Sequence, residues 1–266
     1  MARPFNIRRQ TGFTAIAVTC FVLLYMPIIL LVVYSFNSGN SIAIWEGFSW
    51  RWYQSAWQNE QVQEATVRSL IIALWASGIS TSVAVLAALA TTRTRKFKGQ
   101  SAVFAMINQP LMVPEIVTAV ALLIFFAMIK VATGYTGLAY LIIAHSAFCI
   151  PFAYLPIRAR LQGMDLSLEQ AAADLYATPY QVFRRITLPQ LWPGILAGAM
   201  LAFVISLDDV VITEFVKSAG QDTLPTYMLG QLRRVVTPEI NAISTVLLGI
   251  SVTFVIAFTV LSKIKN

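Results

Sequence analysis

Few of the 266 residues have the type and setting to do chemistry. The chain has one histidine, His145, so neither a two-histidine metal site nor a His-Glu-x-x-His helix can exist. Cys20 and Cys149 stand singly in apolar runs and read as packing residues. No Gly-x-x-x-x-Gly-Lys-[Ser/Thr] loop occurs, so ATP energy, if used, must come from another chain. No catalytic or metal-binding set is therefore expected. What remains is a group of acids in apolar surroundings. Asp208 and Asp209 adjoin within one hydrophobic stretch, Glu214 lies near its end, and Glu115 follows Pro114 in another. An ionised Asp at a bilayer centre costs about 2.5–3.5 kcal/mol, and a chain carries one where it meets a wet cavity or a cation. Asp208, Asp209, Glu115 and Glu214 are thus expected to line a route for a small cationic solute. Plainer roles compete: Glu115 as an anion at a helix N-terminus, the Asp pair facing arginines of a second subunit, Glu214 solvated. On one continuous helix, neighbours point about 100° apart. One Asp is then expected to face the route and the other a subunit interface. His145 either senses protons or bonds a neighbouring helix. Tyr34, Phe36, Asn37, Tyr227 and Arg233 are weaker candidates for contacts near an outer mouth.

The elements that must position these residues are set by composition. Apolar residues make up 58% of the chain and charged residues 12%, against roughly 25% charged in soluble proteins. Mean hydropathy is +0.71. A soluble domain, a disordered chain, collagen, a coiled coil and a disulfide scaffold are all excluded. The predicted class is an all-α integral membrane protein, one transmembrane domain over residues 1–266. Six spans are predicted, near residues 13–36, 69–92, 102–129, 137–157, 191–215 and 240–261. The first is too long for a signal peptide and lacks a small-residue cleavage site, so it is expected to remain as an anchor. Thirteen of the 19 Lys and Arg fall on one side: the N-terminus, the stretch Arg93–Lys98, the long fourth loop and the C-terminus. That side is read as cytoplasmic, with both termini inside. The net charge of +7 reflects this bias rather than nucleic-acid binding. Arg93, Arg95, Lys96 and Lys98 read first as a topological stop, second as a lipid contact. Trp45, Trp50, Trp52, Tyr53 and Trp57 read as interfacial anchors or as a surface for an external partner.

The fourth loop, residues 161–190, is too patterned for a slack connection. Ser167 with Gln170 has the spacing of a capping box, followed by an apolar stripe of Leu168, Ala171, Ala172 and Leu175. Thr178, Pro179 and Gln181 repeat the signal for a second short helix carrying Val182, Phe183 and Ile186, expected to end at Pro189. Two capped helices presenting small side chains suit a groove on a cytoplasmic partner better than a lipid surface, where larger apolar residues are needed.

The run from Glu169 to Pro179, followed by Ile186-x-Leu188-Pro189, resembles the EAA loop of binding-protein-dependent ABC importer permeases. Gln170, Ala171 and Ala172 take the places of Glu-Ala-Ala, and Tyr176 takes that of a glycine. Further stretches, among them Pro114-Glu-Ile-Val117, Ser206-Leu-Asp-Asp-Val-Val211 and Pro238-Glu-Ile-Asn-Ala242, are most similar to the second permease of bacterial spermidine/putrescine importers. The resemblance implies a six-helix type I importer permease in a bacterial inner membrane. It implies a second homologous permease, two ATPase subunits that carry ATP and magnesium, and a periplasmic solute-binding protein. Glu169, Gln170, Ala171, Ala172, Tyr176, Ala177 and Phe183 would couple to the ATPase. The solute would be a polyamine or, alternatively, an opine, a betaine-like osmolyte or a basic amino acid. A membrane-embedded enzyme and a passive channel are the rival classes.

Overall fold

The computed structural model describes residues 11–42, 44–94, 97–233 and 237–264. They form helices and no strand, with one isolated antiparallel bridge between Asn37 and Phe48. Arg3, Arg8, Arg9, Arg95, Lys96 and Lys265 of the positive side, and Arg234 of the other, lie outside the described residues. In order the helices are α1 (Thr11–Tyr34), α2 (Arg51–Gln58), α3 (Glu60–Thr92), α4 (Gln100–Met112), α5 (Glu115–Thr133) and α6 (Ala139–Gln162). There follow α7 (Ser167–Asp174), α8 (Pro179–Val182), a π-turn (Phe183–Thr187), α9 (Leu188–Asp208), α10 (Val211–Val216), α11 (Leu224–Leu232) and α12 (Glu239–Ile264). Among the described residues six helical segments are long and apolar enough to cross a membrane.

The chain divides into two compact units. One holds the described part of Met1–Glu60 together with Gln231–Ile250. Its first helix, α1, is apolar on every side and exposed along its length, as suits contact with lipid or another subunit. The loop after it is built around Asn37, which is buried. Its amide donates to the carbonyls of Ser41 (3.0 Å) and Ile44 (2.6 Å), and its side-chain oxygen accepts from the N–H of Glu46 (2.9 Å). With its side chain committed to the loop, Asn37 is structural rather than a solute contact. Phe36, Phe48, Trp50 and Tyr53 pack ring on ring, and the Tyr53 hydroxyl bonds Ser35 at 2.7 Å. Trp45, Trp50 and Trp57 remain exposed.

The second unit, Gln61–Gly230 with Ser251–Asn266, holds the core. α6 packs most extensively on α9. Glycines permit that approach: a Cβ at Gly198 would lie 2.6 Å from the Ala153 carbonyl oxygen, and one at Gly194 would lie 2.7 Å from Arg160 Cβ. α3 offers a small-residue stripe, including Ala73, Ala76, Ser80, Ala84 and Ala88, and Ser77 donates to the Ala199 carbonyl of α9 at 2.6 Å. Small side chains matter here because in lipid helices associate by close packing and interhelical hydrogen bonds.

Two predicted spans are divided. Residues 102–129 form α4 and α5, separated at Val113 and Pro114, both extended in ψ. The proline ring disfavours helical backbone in the residue before it, which ends α4. Residues 191–215 form α9 and α10, with Asp209 in extended conformation between them (φ −67°, ψ 132°). The fourth loop also differs from expectation at one end of each helix. α7 is held not by a Ser167–Gln170 box but by Asp165, which accepts from the Ser167 N–H at 2.9 Å and its hydroxyl at 2.7 Å. The second helix does not stop at Pro189. It passes through the π-turn into α9, and this widened turn gives room where a proline ring would crowd the carbonyl four residues back.

Candidate functional site

The acids gather at the interruption between α9 and α10. Asp209 is buried. Its carboxylate accepts from the Ile212 N–H (3.3 Å), the Thr213 N–H (2.9 Å) and the Thr213 hydroxyl (2.8 Å), so it caps α10 from two residues before its start. His145 of α6 braces the same junction. Its Nδ1 bonds Ser206 Oγ of α9 at 2.8 Å, and its Nε2 bonds Thr213 Oγ1 at 2.9 Å and lies 3.4 Å from Asp209 Oδ2. One imidazole thus ties together the helix before the break and the helix after it. The lone histidine bonds neighbouring elements, as one of its two sequence readings expected.

Asp208 ends α9 and is exposed. The two aspartates do face apart, but not as neighbours on one helix: the chain leaves helical geometry between them. Asp209 is buried within its own chain, and Asp208 is the one that is accessible. Glu115, the first residue of α5, is half-buried and its carboxyl lies close to that of Asp209. α10 packs on α5, which brings these two together although 94 positions separate them in the sequence. Facing carboxyls repel unless a proton or a cation intervenes. A helix C-terminus adds the partial negative charge of unpaired carbonyls, so the end of α9 together with Asp208 favours a cation.

Glu214 is set apart from this group by its partner. Lys217 Nζ lies 2.6 Å from both Glu214 Oε2 and Asp222 Oδ1. Burial pulls the Lys217 ammonium down, but the hydrogen bonds it donates to Asp222 and Glu214 and their charges outweigh it and hold the group above the ordinary lysine range. The segment around it is tied down further: Arg68 donates to the Asp222 carbonyl at 2.7 Å, and Gln221 to the Thr136 carbonyl at 2.6 Å. Glu214 is therefore half of an ion-paired strap, neither plainly solvated nor facing Asp208 directly through any contact observed.

At the other end of the unit, α7 and α8 form a braced projection. Thr178 and Gln181 make the full capping box expected: the Thr178 N–H donates to Gln181 Oε1 at 2.9 Å, and the Gln181 N–H to Thr178 Oγ1 at 3.4 Å. Tyr176 takes the left-handed backbone of the glycine it replaces, at φ 61°, and its side chain is 96% exposed. Gln170 and Ala171 are exposed, and Ala172, Ala177 and Phe183 are half-buried. Glu169 points inward. It pairs with Arg93 beyond the end of α3 (3.2 Å) and accepts from the Thr187 hydroxyl of the π-turn (3.0 Å). The Asp165 carboxyl is held below the usual carboxylate range by the backbone and side-chain bonds from Ser167. The bracing of Glu169 by Arg93 and Thr187 was missed in the sequence: Arg93 was read only within a basic cluster, Thr187 fills the variable place of Ile186-x-Leu188-Pro189, and the Arg93 contact spans 76 positions.

Residues 80–264 match the family described as binding-protein-dependent transport system inner membrane component. The chain is 39% identical over 232 residues to the putrescine transport system permease protein PotI of Escherichia coli K12, covering 86% of this chain and 83% of that one. It is 37% identical over 243 residues to the spermidine/putrescine transport system permease protein PotC of Haemophilus influenzae, covering 91% and 93%. Among solved structures, a chain of a bacterial ABC transporter involved in import of the polysaccharide alginate superposes with a TM-score of 0.73 over 97% of this chain, at 18% identity, a likeness of fold. Six apolar helices, the EAA-type projection and this extent of similarity lead to one conclusion: the chain is a multi-pass membrane protein belonging to the binding-protein-dependent transport system inner membrane component family.

Proposed function

We propose that the chain is one of two homologous permease subunits of an ATP-driven importer, and that it carries a small polyamine across a bacterial inner membrane. The observation that carries the reading is the group of acids at a broken helix, with Asp208 accessible, Asp209 locked into the start of α10 and Glu115 close to Asp209. Discontinuous helices in transporters commonly line solute sites, because freed backbone groups are tolerated only where they meet protein, water or cargo. The names of the relatives, which specify putrescine and spermidine, support a diamine or triamine as the cargo.

In this reading both termini are cytoplasmic. Two ATPase subunits, carrying ATP and magnesium, dock on α7 and α8 through Gln170, Ala171, Ala172, Tyr176, Ala177 and Phe183. A periplasmic solute-binding protein delivers the amine from the opposite side. Closure of the ATPase pair displaces the projection, and Glu169 passes the displacement to α3 through Arg93 and to α9 through the π-turn. Their rigid-body movement opens the route outward, and hydrolysis resets it. Chemistry on the solute is no part of the cycle.

The test is uptake of labelled putrescine by the assembled importer carrying Asp208→Asn or Glu115→Gln. Losing a charge-assisted bond to an ammonium is worth about 1.5–3 kcal/mol, so each variant is expected to take up putrescine at least about tenfold more slowly at low concentration, with normal amounts of protein in the membrane. Wild-type rates in both variants would make the acids structural.

A further inference from the structure

We infer that the cleft between the end of α3, the start of α4 and the last turns of α6 binds the phosphate of an anionic phospholipid headgroup. The cleft is an open cavity of about 330 Å³ lined by Thr91, Gln100, Ser101, Phe104 and Arg158, at the lower end of the ~300–1,000 Å³ range of small-ligand sites. Arg158 is its cation. The guanidinium lies 4.5 Å over the Phe104 ring and 5.9 Å from that of Tyr154, which fixes its plane and leaves its edge free to donate. Its Nε is buried with no acceptor. Among the described residues no carboxylate pairs with it: Glu169, the nearby acid turned inward, is taken by Arg93 and Thr187, and Asp165 by Ser167.

A buried guanidinium nitrogen without an acceptor calls for an anion from outside the chain. The rest of the cleft suits a phosphate. Gly99 stands at the N-cap of α4 at φ 96° and has no side chain to cap it, so the first turn of that helix is left open beside Ser101. Gln100 is held in place by its bond to the Thr91 carbonyl (2.8 Å), and Thr91 by its bond to the Tyr154 hydroxyl (2.9 Å), so the polar wall is preorganised. The location identifies the source. The cleft lies where two membrane-crossing helices, α3 and α6, end on the side richest in Lys and Arg. Basic pockets between helices at that level meet anionic headgroups. The site does not depend on which solute the chain carries.

The experiment titrates the purified full-length chain, in neutral detergent, with phosphatidylglycerol, phosphatidylcholine and inorganic phosphate. Thermal shift and retained lipid in native mass spectrometry are the readouts. Phosphatidylglycerol is expected to bind and stabilise the wild type, phosphatidylcholine and inorganic phosphate at least about tenfold more weakly. Arg158→Gln is expected to weaken phosphatidylglycerol binding about tenfold or more, and Arg158→Lys, which keeps the charge but not the fork, several-fold. Lys98→Gln is expected to leave it unchanged. Unaltered lipid affinity in Arg158→Lys and Arg158→Gln would overturn the assignment. So would an equal loss in Lys98→Gln, which would mean diffuse attraction to a basic surface, or inorganic phosphate binding as tightly as the lipid.

Discussion

Tyr176 and Asp209 show how much a single residue commits at this fold's bends. Left-handed backbone costs a non-glycine residue about 1–2 kcal/mol, because Cβ crowds the following carbonyl. Tyr176 carries that cost at φ 61° while its ring makes no buried contact. The bend is therefore imposed by its neighbours: the Ala177 N–H returns to the Ala172 carbonyl at 3.1 Å, and the Thr178 box starts the next helix. Tyr176→Gly is expected to keep the thermal stability of the purified chain within about 1 kcal/mol, relief of strain being offset by the extra freedom of glycine when unfolded. Tyr176→Val is expected to lower it by about 1–2 kcal/mol, since a branched Cβ tolerates this region worst. Equal stability of the two variants would show that the loop adapts rather than constrains. The Thr178 box was legible in the sequence as spacing within a few residues, and the bend at Tyr176 through the resemblance to the EAA loop. The partition between Asp208 and Asp209 was not. It depends on His145, Ser206 and Thr213 meeting from three elements, and apolar residues continue on both sides of the junction that they pin.

At the scale of helices, hydropathy located six crossings but not their interruptions. Apolar residues continue on both sides of Pro114 and of Asp209, so a window average sees one span where the backbone forms two helices. The π-turn was equally hidden: it is set by Pro189 inside a helix that tertiary packing extends, whereas a sequence pattern reads the proline as a stop. Helix contact was hidden for a different reason, since it rests on what is missing. Gly198 lies on α9 with no room for a methyl group before the Ala153 carbonyl, and that carbonyl belongs to the backbone of α6 and cannot rotate away. Gly198→Ala is expected to push α9 from α6 and destabilise the chain by about 1–3 kcal/mol. Gly78→Ala on α3, where nothing lies within 4 Å, is the matched control and is expected to be neutral or slightly stabilising. The comparison is made by thermal unfolding of the purified variants; a loss of similar size at both positions would assign the effect to helical glycine in general and not to this contact.

Across the whole molecule, two kinds of exposed surface have to be satisfied by something else. One is broad and apolar, along α1 and much of α5, and suits lipid or a homologous subunit. The other is the small-residue face of α7 with the bend after it, which is narrow and held from within by Glu169. The second is where energy enters in the proposed cycle, and it can be tested without disturbing the fold. Ala172 is half-buried on α7, whose stability rests on Asp165 and the bonds around the bend, so Ala172→Glu has room to keep the chain inserted and helical. In the proposed assembly the same carboxylate would be pressed into a small-residue contact, and a charge desolvated without a partner costs several kcal/mol. The expected outcome is normal membrane insertion, a transport rate lowered at least tenfold, and ATP hydrolysis that no longer responds to solute and its binding protein. Insertion is read by membrane fractionation, and coupling by uptake and hydrolysis measured side by side in proteoliposomes. If solute-stimulated uptake persists at the wild-type rate, the face of α7 does not transmit force, and the bracing of Glu169 to α3 and α9 serves only the chain's own fold.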